Sequence, residues 1–419
     1  MIQSLLTGIV TFIFIFGWKI TPLVDLIFLT SLALVFISFV RGCVFLERTS
    51  SRVLCCMGML SLYSLAIVLY NGLLDTQIAM RSIRSLINFL GAVSLVSIYW
   101  HSSSGDFFCR LLRDIYLSLS VHAVIMVAMF VNNDLRLMVY NMTSAFTYVN
   151  LSSSILDGYR ICGLTYGLSQ TSVLQLLGLI ILPLLIQKSE NFYARAIYIL
   201  SAPLLVISIF ISGRSGLMIG LLFSPVLIFS SIFLTWRIFT PSAFFTRLVA
   251  VISLILFLTG FSILAFRLLP EKFAVYSLGQ AREIFQAIML QGPTIDYMST
   301  MLLVPDSWFE LFFGSSNLGR GSLENIPSDI GWVKMLFSLG LSGSVLMIAP
   351  YLIALKTSFQ FRKNDRLTAV TVFLVFLAAV ILNSKELALL TRNQWSVQAI
   401  LLLAMVFEMQ KKSETGIEA

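Results

Sequence analysis

Long apolar runs recur from one end of the chain to the other, broken by short charged stretches, and this repetition restricts the possible folds more than any single motif. The runs fall near residues 2–18, 22–40, 53–72, 85–100, 114–131, 165–186, 196–212, 217–235, 248–266, 335–355, 367–383 and 394–409. A helix needs about 20 residues to cross the hydrocarbon core of a bilayer. The pattern therefore predicts an all-α polytopic membrane protein with about 12 transmembrane helices. Composition agrees: 58% of the 419 residues are apolar and 11% are charged, whereas soluble domains average about 45–50% and about 25%. The alternating strands of roughly ten residues that build an outer-membrane barrel are not the pattern seen. No stretch reads as a separate soluble domain, so residues 1–419 are expected to form one polytopic unit.

Charge sets the expected orientation. With the N-terminus inside, the loops on that side and the tail carry fifteen lysines and arginines, Arg41, Arg48, Lys188 and Lys363 among them, against eight in the short loops opposite. Basic residues concentrate in cytoplasmic loops, so both termini are expected in the cytoplasm. The same rule accounts for the net charge of +8 without a nucleic-acid partner, since no basic, aromatic-rich soluble patch accompanies it. Cys43, Cys55, Cys56, Cys109 and Cys162 show no metal-ligand spacing, and no disulfide framework is expected. Residues 2–18 lack a positive stretch ahead of their apolar run and read as a retained helix, not a cleaved signal.

Two segments then lie on the outer side, about 132–164 and about 267–334. The second is the long polar break of the chain, expected to carry short interfacial helices. Within it, the stretch from Ala281 to Leu290 places Ile284, Phe285, Ile288 and Met289 on one helical face. Such a face suits either the headgroup region or the protein's own outer surface. The loop ends in Asn325-Ile-Pro-Ser328-Asp329-Ile-Gly331-Trp332, at the mouth of the next span. Partial burial of Asp329 there would raise its pKa toward values useful to a general base. The same residues also suit a cap, with Ser328 or Asp329 closing a helix that begins at Ile330; the two roles are compatible. The two histidines fall elsewhere, His101 at a helix end on the inner side and His122 within the fifth span. An outer-face base is accordingly expected to be a carboxylate.

Arginines between apolar spans call for explanation, because one at a helix centre costs about 2.5–3.5 kcal/mol on insertion scales. Arg214 sits in Ser212-Gly213-Arg214-Ser215-Gly216, a turn too short to carry it far from the bilayer. Glycines there allow close backbone approach to a ligand, and the guanidinium fork matches phosphate oxygens; a tight hairpin with a snorkelling Arg is the alternative. Arg160 opens a polar stretch with Gly163, Thr165, Gly167, Ser169, Gln170 and Thr171 that leads into the sixth span. Arg282 and Arg320 add two cations in the long loop, each also readable as a solvated surface charge. Asp25, in the second span, reads as structural because it lies close to the outer helix end. No Walker A, HExxH or CxxC pattern occurs, so neither ATP-driven work nor a metal or other cofactor is expected.

Arg160-x-x-Gly163 before a span, Ser-Gly-Arg214-Ser-Gly between spans and a long outer loop together resemble the O-antigen polymerase (Wzy-like) and ligase superfamily. The loop's Phe313-Gly314-Ser-Ser-Asn-Leu-Gly319, then Ser328-Asp329-Ile-Gly331-Trp332 and Leu339-Gly340-Leu-Ser-Gly343, extend the resemblance. It spans the chain in topology and rests on short motifs in a fixed order. It implies a GT-C-like fold in a bacterial inner (cytoplasmic) membrane and a glycosyltransferase of lipopolysaccharide or similar surface polysaccharide biosynthesis. One undecaprenyl-diphosphate-linked oligosaccharide would donate its glycan to a second at the periplasmic face. By this resemblance Arg160 and Arg214, with Arg282 or Arg320, would hold the diphosphate, and Asp329 would accept the acceptor's proton. Gly163, Ser215, Gly216, Ser328 and Gly331 would support them, and a chain-length regulator is an expected partner. Ligases of the superfamily carry a histidine where Asp329 stands, which favours polymerase over ligase. A polysaccharide-lipid flippase is a further alternative, although no repeat between the halves supports it.

Overall fold

The protein is described from a computed structural model over residues 2–19, 25–43, 46–72, 75–102, 107–143, 160–229, 298–318, 326 and 328–414. These residues form helices α1 (Ile2–Phe16), α2 (Leu26–Val40), α3 (Arg48–Tyr70), α4 (Gln77–Ser102), α5 (Phe107–Val131) and the short α6 (Asn133–Met142). Then follow α7 (Leu168–Lys188), α8 (Phe192–Ser212), α9 (Arg214–Phe229), α10 (Trp308–Phe313), α11 (Gly331–Phe361), α12 (Arg366–Leu382) and α13 (Arg392–Glu414). Apart from an isolated bridge between Lys19 and Asp25, the described residues contain no β-structure. In a bilayer every backbone polar group must be satisfied internally, and helices meet that demand within each apolar run.

The expected spans fall on these helices, except that 248–266, the first residues of 22–40 and the last residues of 217–235 lie outside the described residues. On length and apolarity six can cross a membrane: α3, α4, α5, α7, α8 and α11. Residues 5–16 of α1, and α2, α9 and α12, are shorter apolar helices. α13 carries Gln394, Ser396 and Gln398 in its first two turns, yet these side chains are fully buried. Its polarity faces protein and not lipid, with Gln398 Nε2 donating to the Val375 carbonyl at 3.1 Å. α4 starts at Gln77, well before residue 85, so Arg81 and Arg84 belong to a helix and not to a loop. Asp75 allows this early start, since its Oδ1 accepts the Gln77 N–H at 2.9 Å.

α7 and α13 form the centre. α7 packs against α5, α8, α9 and α12, and α13 against α4, α12, α1 and α5. Trp395 of α13 is fully buried and donates its Nε1–H to the Ser85 carbonyl at 3.0 Å. Alternating chain direction gathers the turns into two ends. At one end Lys188 pairs with Asp365 at 2.8 Å and Arg110 donates to Thr7 Oγ1 at 3.1 Å. At the other lie the α1–α2, α3–α4, α8–α9 and α12–α13 turns, the segment before α7 and the mouth of α11.

α11 breaks at Gly340, whose φ of 63° and ψ of −172° are non-helical. The segment after α10 fills the break. Ser315 N–H donates to the Phe337 carbonyl at 2.8 Å and Ser316 N–H to that of Ser338 at 3.0 Å. Tyr63 Oη–H donates to the Phe313 and Leu339 carbonyls at 3.1 and 3.2 Å. A kink inside an apolar helix is thus satisfied by inserted backbone. Gly314 and Gly340 face each other so closely that a Cβ on Gly340 would lie 2.5 Å from the Phe312 carbonyl carbon.

Candidate functional site

The segment before α7 is held from below by a buried histidine. His122 Nε2 accepts the Leu164 N–H at 3.1 Å, and its Nδ1 lies 2.6 Å from Gln175 Nε2. Its ring stacks on Phe16 with centroids 4.1 Å apart. Gly163 is left-handed (φ 61°), and a Cβ there would overlap His122 Nε2. Its glycine character therefore belongs to the turn and to the histidine beneath it. The neighbouring Ile161 N–H donates to the Ile211 carbonyl at 2.8 Å, fastening Arg160 beside the end of α8.

That fastening brings the two motif arginines together. Arg160 Nη2 is the nearest atom to a Cβ built on Gly213, at 3.2 Å, and Gly213 immediately precedes Arg214. Gly216 is needed for a different reason than ligand approach. A Cβ there would lie 2.6 Å from the Ser172 carbonyl oxygen, so it lets α9 pack onto α7. Its N–H donates to Ser172 Oγ at 2.9 Å. Ser215 Oγ accepts from Lys385 Nζ at 3.0 Å, which adds a third cation from the α12–α13 turn.

The α12–α13 turn, 383–391, is largely buried, and much of its backbone is bonded by side chains. Asn383 Oδ1 accepts the Ala388 and Leu389 N–H groups at 2.9 and 3.3 Å. Arg81 Nη2 donates to the Leu387 and Leu389 carbonyls, both at 2.9 Å. Leu390, at a φ of 56°, gives its N–H to Tyr351 Oη at 2.8 Å. Glu386 projects from this turn. One of its oxygens, Oε1, is buried without a hydrogen-bond partner, as is Arg160 Nε. Lys385, Lys334, Arg81 and Arg160 all lie close enough to Glu386 to interact with its charge.

Burial raises the Glu386 pKa above the usual carboxylate range, outweighing the opposite pull of those four cations. Burial likewise lowers the Lys385 pKa; Arg214 and Arg160 push it the same way, against Glu386 and Asp329. Five cations, Arg81, Arg160, Arg214, Lys334 and Lys385, thus gather with the carboxylates of Glu386 and Asp329 at one end of the bundle, where Asp25 and Asp75 also lie. Uncompensated buried charge is expensive, so this surplus is suited to an anion of more than one charge.

Asp329 departs from expectation. Its side chain is 78% exposed and pairs with Lys334 Nζ at 3.4 Å. It does not cap the helix: the cap position is Ile330, with no side-chain cap bond. Ser328 Oγ accepts the Ile330 N–H at 3.2 Å, just ahead of the helix. The reason is a small apolar cluster of Met301, Ile326, Ile330 and Val333, which buries Ile330 and turns Asp329 outward. Gly331 sits hard against the α12–α13 turn, where a Cβ would lie 2.5 Å from Asn383 Oδ1 and 2.6 Å from the Glu386 carbonyl oxygen. Close approach between α11 and the Glu386 turn is its role.

Arg282, Arg320 and the amphipathic stretch 281–290 lie outside the described residues. Asp25 caps α2, accepting the Phe28 N–H at 2.7 Å, and faces Arg392 at 3.6 Å, in line with a structural role. Reading the sequence for outer-loop acids passed over Glu386. The available signal was a Lys385-Glu386 pair followed by the apolar Leu387-Ala-Leu-Leu390, a turn that folds back into protein.

The described residues define an all-helical bundle with six helices able to cross a membrane and a cluster of cations at one end. No family model matches the chain, and no curated protein or solved structure does either.

Proposed function

We propose that the protein is a membrane glycosyltransferase that polymerises polyprenyl-diphosphate-linked oligosaccharide repeat units of a surface polysaccharide. The carrying observation is the convergence of Arg160, Arg214 and Lys385 at one end of the bundle, next to a carboxylate. A glycosyl diphosphate develops charge on its leaving group as the glycosidic bond breaks. Preorganised cations in a water-poor site stabilise that charge most effectively, and arginine forks match phosphate oxygens in pairs. The attacking sugar hydroxyl must lose a proton, and Asp329 and Glu386 are the carboxylates that act on Lys385 of this cluster. On this reading the Arg160 end faces the periplasm, both termini are cytoplasmic, and Arg282 and Arg320 of the long loop are further candidates to hold the diphosphate. The two histidines sit elsewhere, His122 in the core and His101 at the last turn of α4, which favours the polymerase over a histidine-dependent ligase.

The test is to delete the gene from its host and resolve the surface glycan on a gel. A polymerase deletion leaves single repeat units on the lipid core. Finished polymer accumulating on the polyprenyl carrier would establish the ligase instead, and an unchanged glycan would sink both.

A further inference from the structure

Asp329 and Glu386, the two carboxylates that act on Lys385, differ in exposure and in partners. Asp329 is exposed and ion-paired with Lys334. Glu386 rises from a turn fixed on three sides, by Arg81 of α4, by Tyr351 of α11 and by its own Asn383. Its Oε1 is buried and lacks a hydrogen-bond donor, although donors crowd the neighbourhood. A carboxylate oxygen shielded from water and left without a donor is short of one hydrogen bond, and a bound hydroxyl would supply it. Another orphan at this end, Arg160 Nε, is a donor short of an acceptor. One anionic ligand carrying a hydroxyl nearby would satisfy both.

From this geometry we infer that Glu386, and not Asp329, is the group that takes the proton from the acceptor sugar's hydroxyl. The inference rests on the glycosyltransferase reading above. In the step, the acceptor oxygen forms a bond to the donor's anomeric carbon while the bond from that carbon to the diphosphate oxygen breaks. The hydroxyl proton passes to Glu386, and the polyprenyl diphosphate leaves with the electron pair, its charge met by Arg160, Arg214 and Lys385. No oxidant, metal or nucleotide is required.

Four cations bear on the titration of Glu386: Lys385 on its own turn, Lys334 on α11, Arg81 on α4 and Arg160 ahead of α7. Burial prevails over all four and lifts its pKa, which brings a carboxylate closer to the range where a base works efficiently. Activity accordingly falls as pH drops through that raised value, because the protonated acid cannot accept a second proton.

The experiment uses the full-length protein in proteoliposomes with a purified polyprenyl-diphosphate-linked repeat unit, comparing wild type with Glu386→Gln, Glu386→Asp and Asp329→Asn. Undecaprenyl diphosphate binding is measured alongside. Glu386→Gln is expected to lower kcat by about 10²–10⁴-fold, the usual worth of a positioned base, with the binding of undecaprenyl diphosphate little changed. Asp329→Asn should lose far less kcat than Glu386→Gln. Glu386→Asp should recover part of the rate and move the acid limb of the pH profile. The inference is overturned if Glu386→Gln turns over like wild type, or if Asp329→Asn is the variant that loses kcat. Should Glu386→Gln fail to fold, the other two variants decide: an acid limb displaced in Glu386→Asp and unmoved in Asp329→Asn supports the role, and the reverse pattern overturns it. Failure of the broader reading looks different, because the wild type itself would then neither extend glycan nor bind undecaprenyl diphosphate.

Discussion

Lys385 and Ser215, 170 residues apart in the chain, meet through a 3.0 Å hydrogen bond from Nζ to Oγ. That bond joins the α12–α13 turn to the start of α9 and so places the Lys385-Glu386 pair beside Arg214. A bond from a charged donor is worth about 1.5–3 kcal/mol. Ser215→Ala should therefore lower the unfolding midpoint in detergent and weaken undecaprenyl diphosphate binding together, whereas Lys385→Met should reduce binding more than it reduces stability. Equal effects on both properties from both variants would mean that the pair is only a strut.

Arg160→Ala and Arg214→Ala are each expected to weaken undecaprenyl diphosphate binding by roughly 10–100-fold, the equivalent of one charge-assisted bond. Arg362→Ala, at the exposed α11–α12 turn of the opposite end, should leave binding unchanged. Equilibrium binding to the purified variants checks the contrast.

Glycines with positive φ should divide by their surroundings. Gly72, at φ 73°, has open space around its Cβ position, so alanine costs only the left-handed strain of about 1–2 kcal/mol. Gly340 has the same kind of φ and also the Phe312 backbone within 2.5 Å, so Gly340→Ala should be far more damaging. Thermal unfolding of the two variants reads the difference. Comparable losses would show that the inserted segment after α10 yields easily.

Asp365 caps α12, where its Oδ1 accepts the Thr368 N–H at 3.1 Å, and pairs with Lys188 at 2.8 Å. Burial alone would raise its pKa, but Lys188 and the Thr368 bonds outweigh burial and hold it below the usual aspartate value. A depressed folded pKa contributes stability above the unfolded value of about 3.9 that is lost as pH falls through the folded one. Lys188→Met should thus destabilise by about 1 kcal/mol at pH 7, and the gap from wild type should close in acid. A gap unchanged by pH would assign the loss to packing alone.

Orientation is open to a direct check. Green fluorescent protein fused after Glu414 should fluoresce, because that end is expected in the cytoplasm, and alkaline phosphatase fused after Gly72 should be active. The reverse pattern would place the Arg160 cluster on the cytoplasmic side and remove the proposed reaction from the periplasm.

Apolar periodicity alone announced a helical membrane bundle, because a run of about 20 apolar residues has few other stable places to be. It also marked Arg160 and Arg214, since charge between spans is costly and conspicuous. Local sequence misjudged Asp329, because burial at a helix mouth depends on which neighbour the core captures. Here Ile330, packed with Met301 and Val333, took the inward position. Glu386 was invisible for a related reason: its turn is held by Arg81 of α4 and Tyr351 of α11, which come from distant parts of the chain. Sequence by itself determined which segments are apolar enough to seek the bilayer and which residues would be costly there. Only the tertiary structure decided which of those residues meet, because proximity across hundreds of residues follows from helix packing and leaves no local trace.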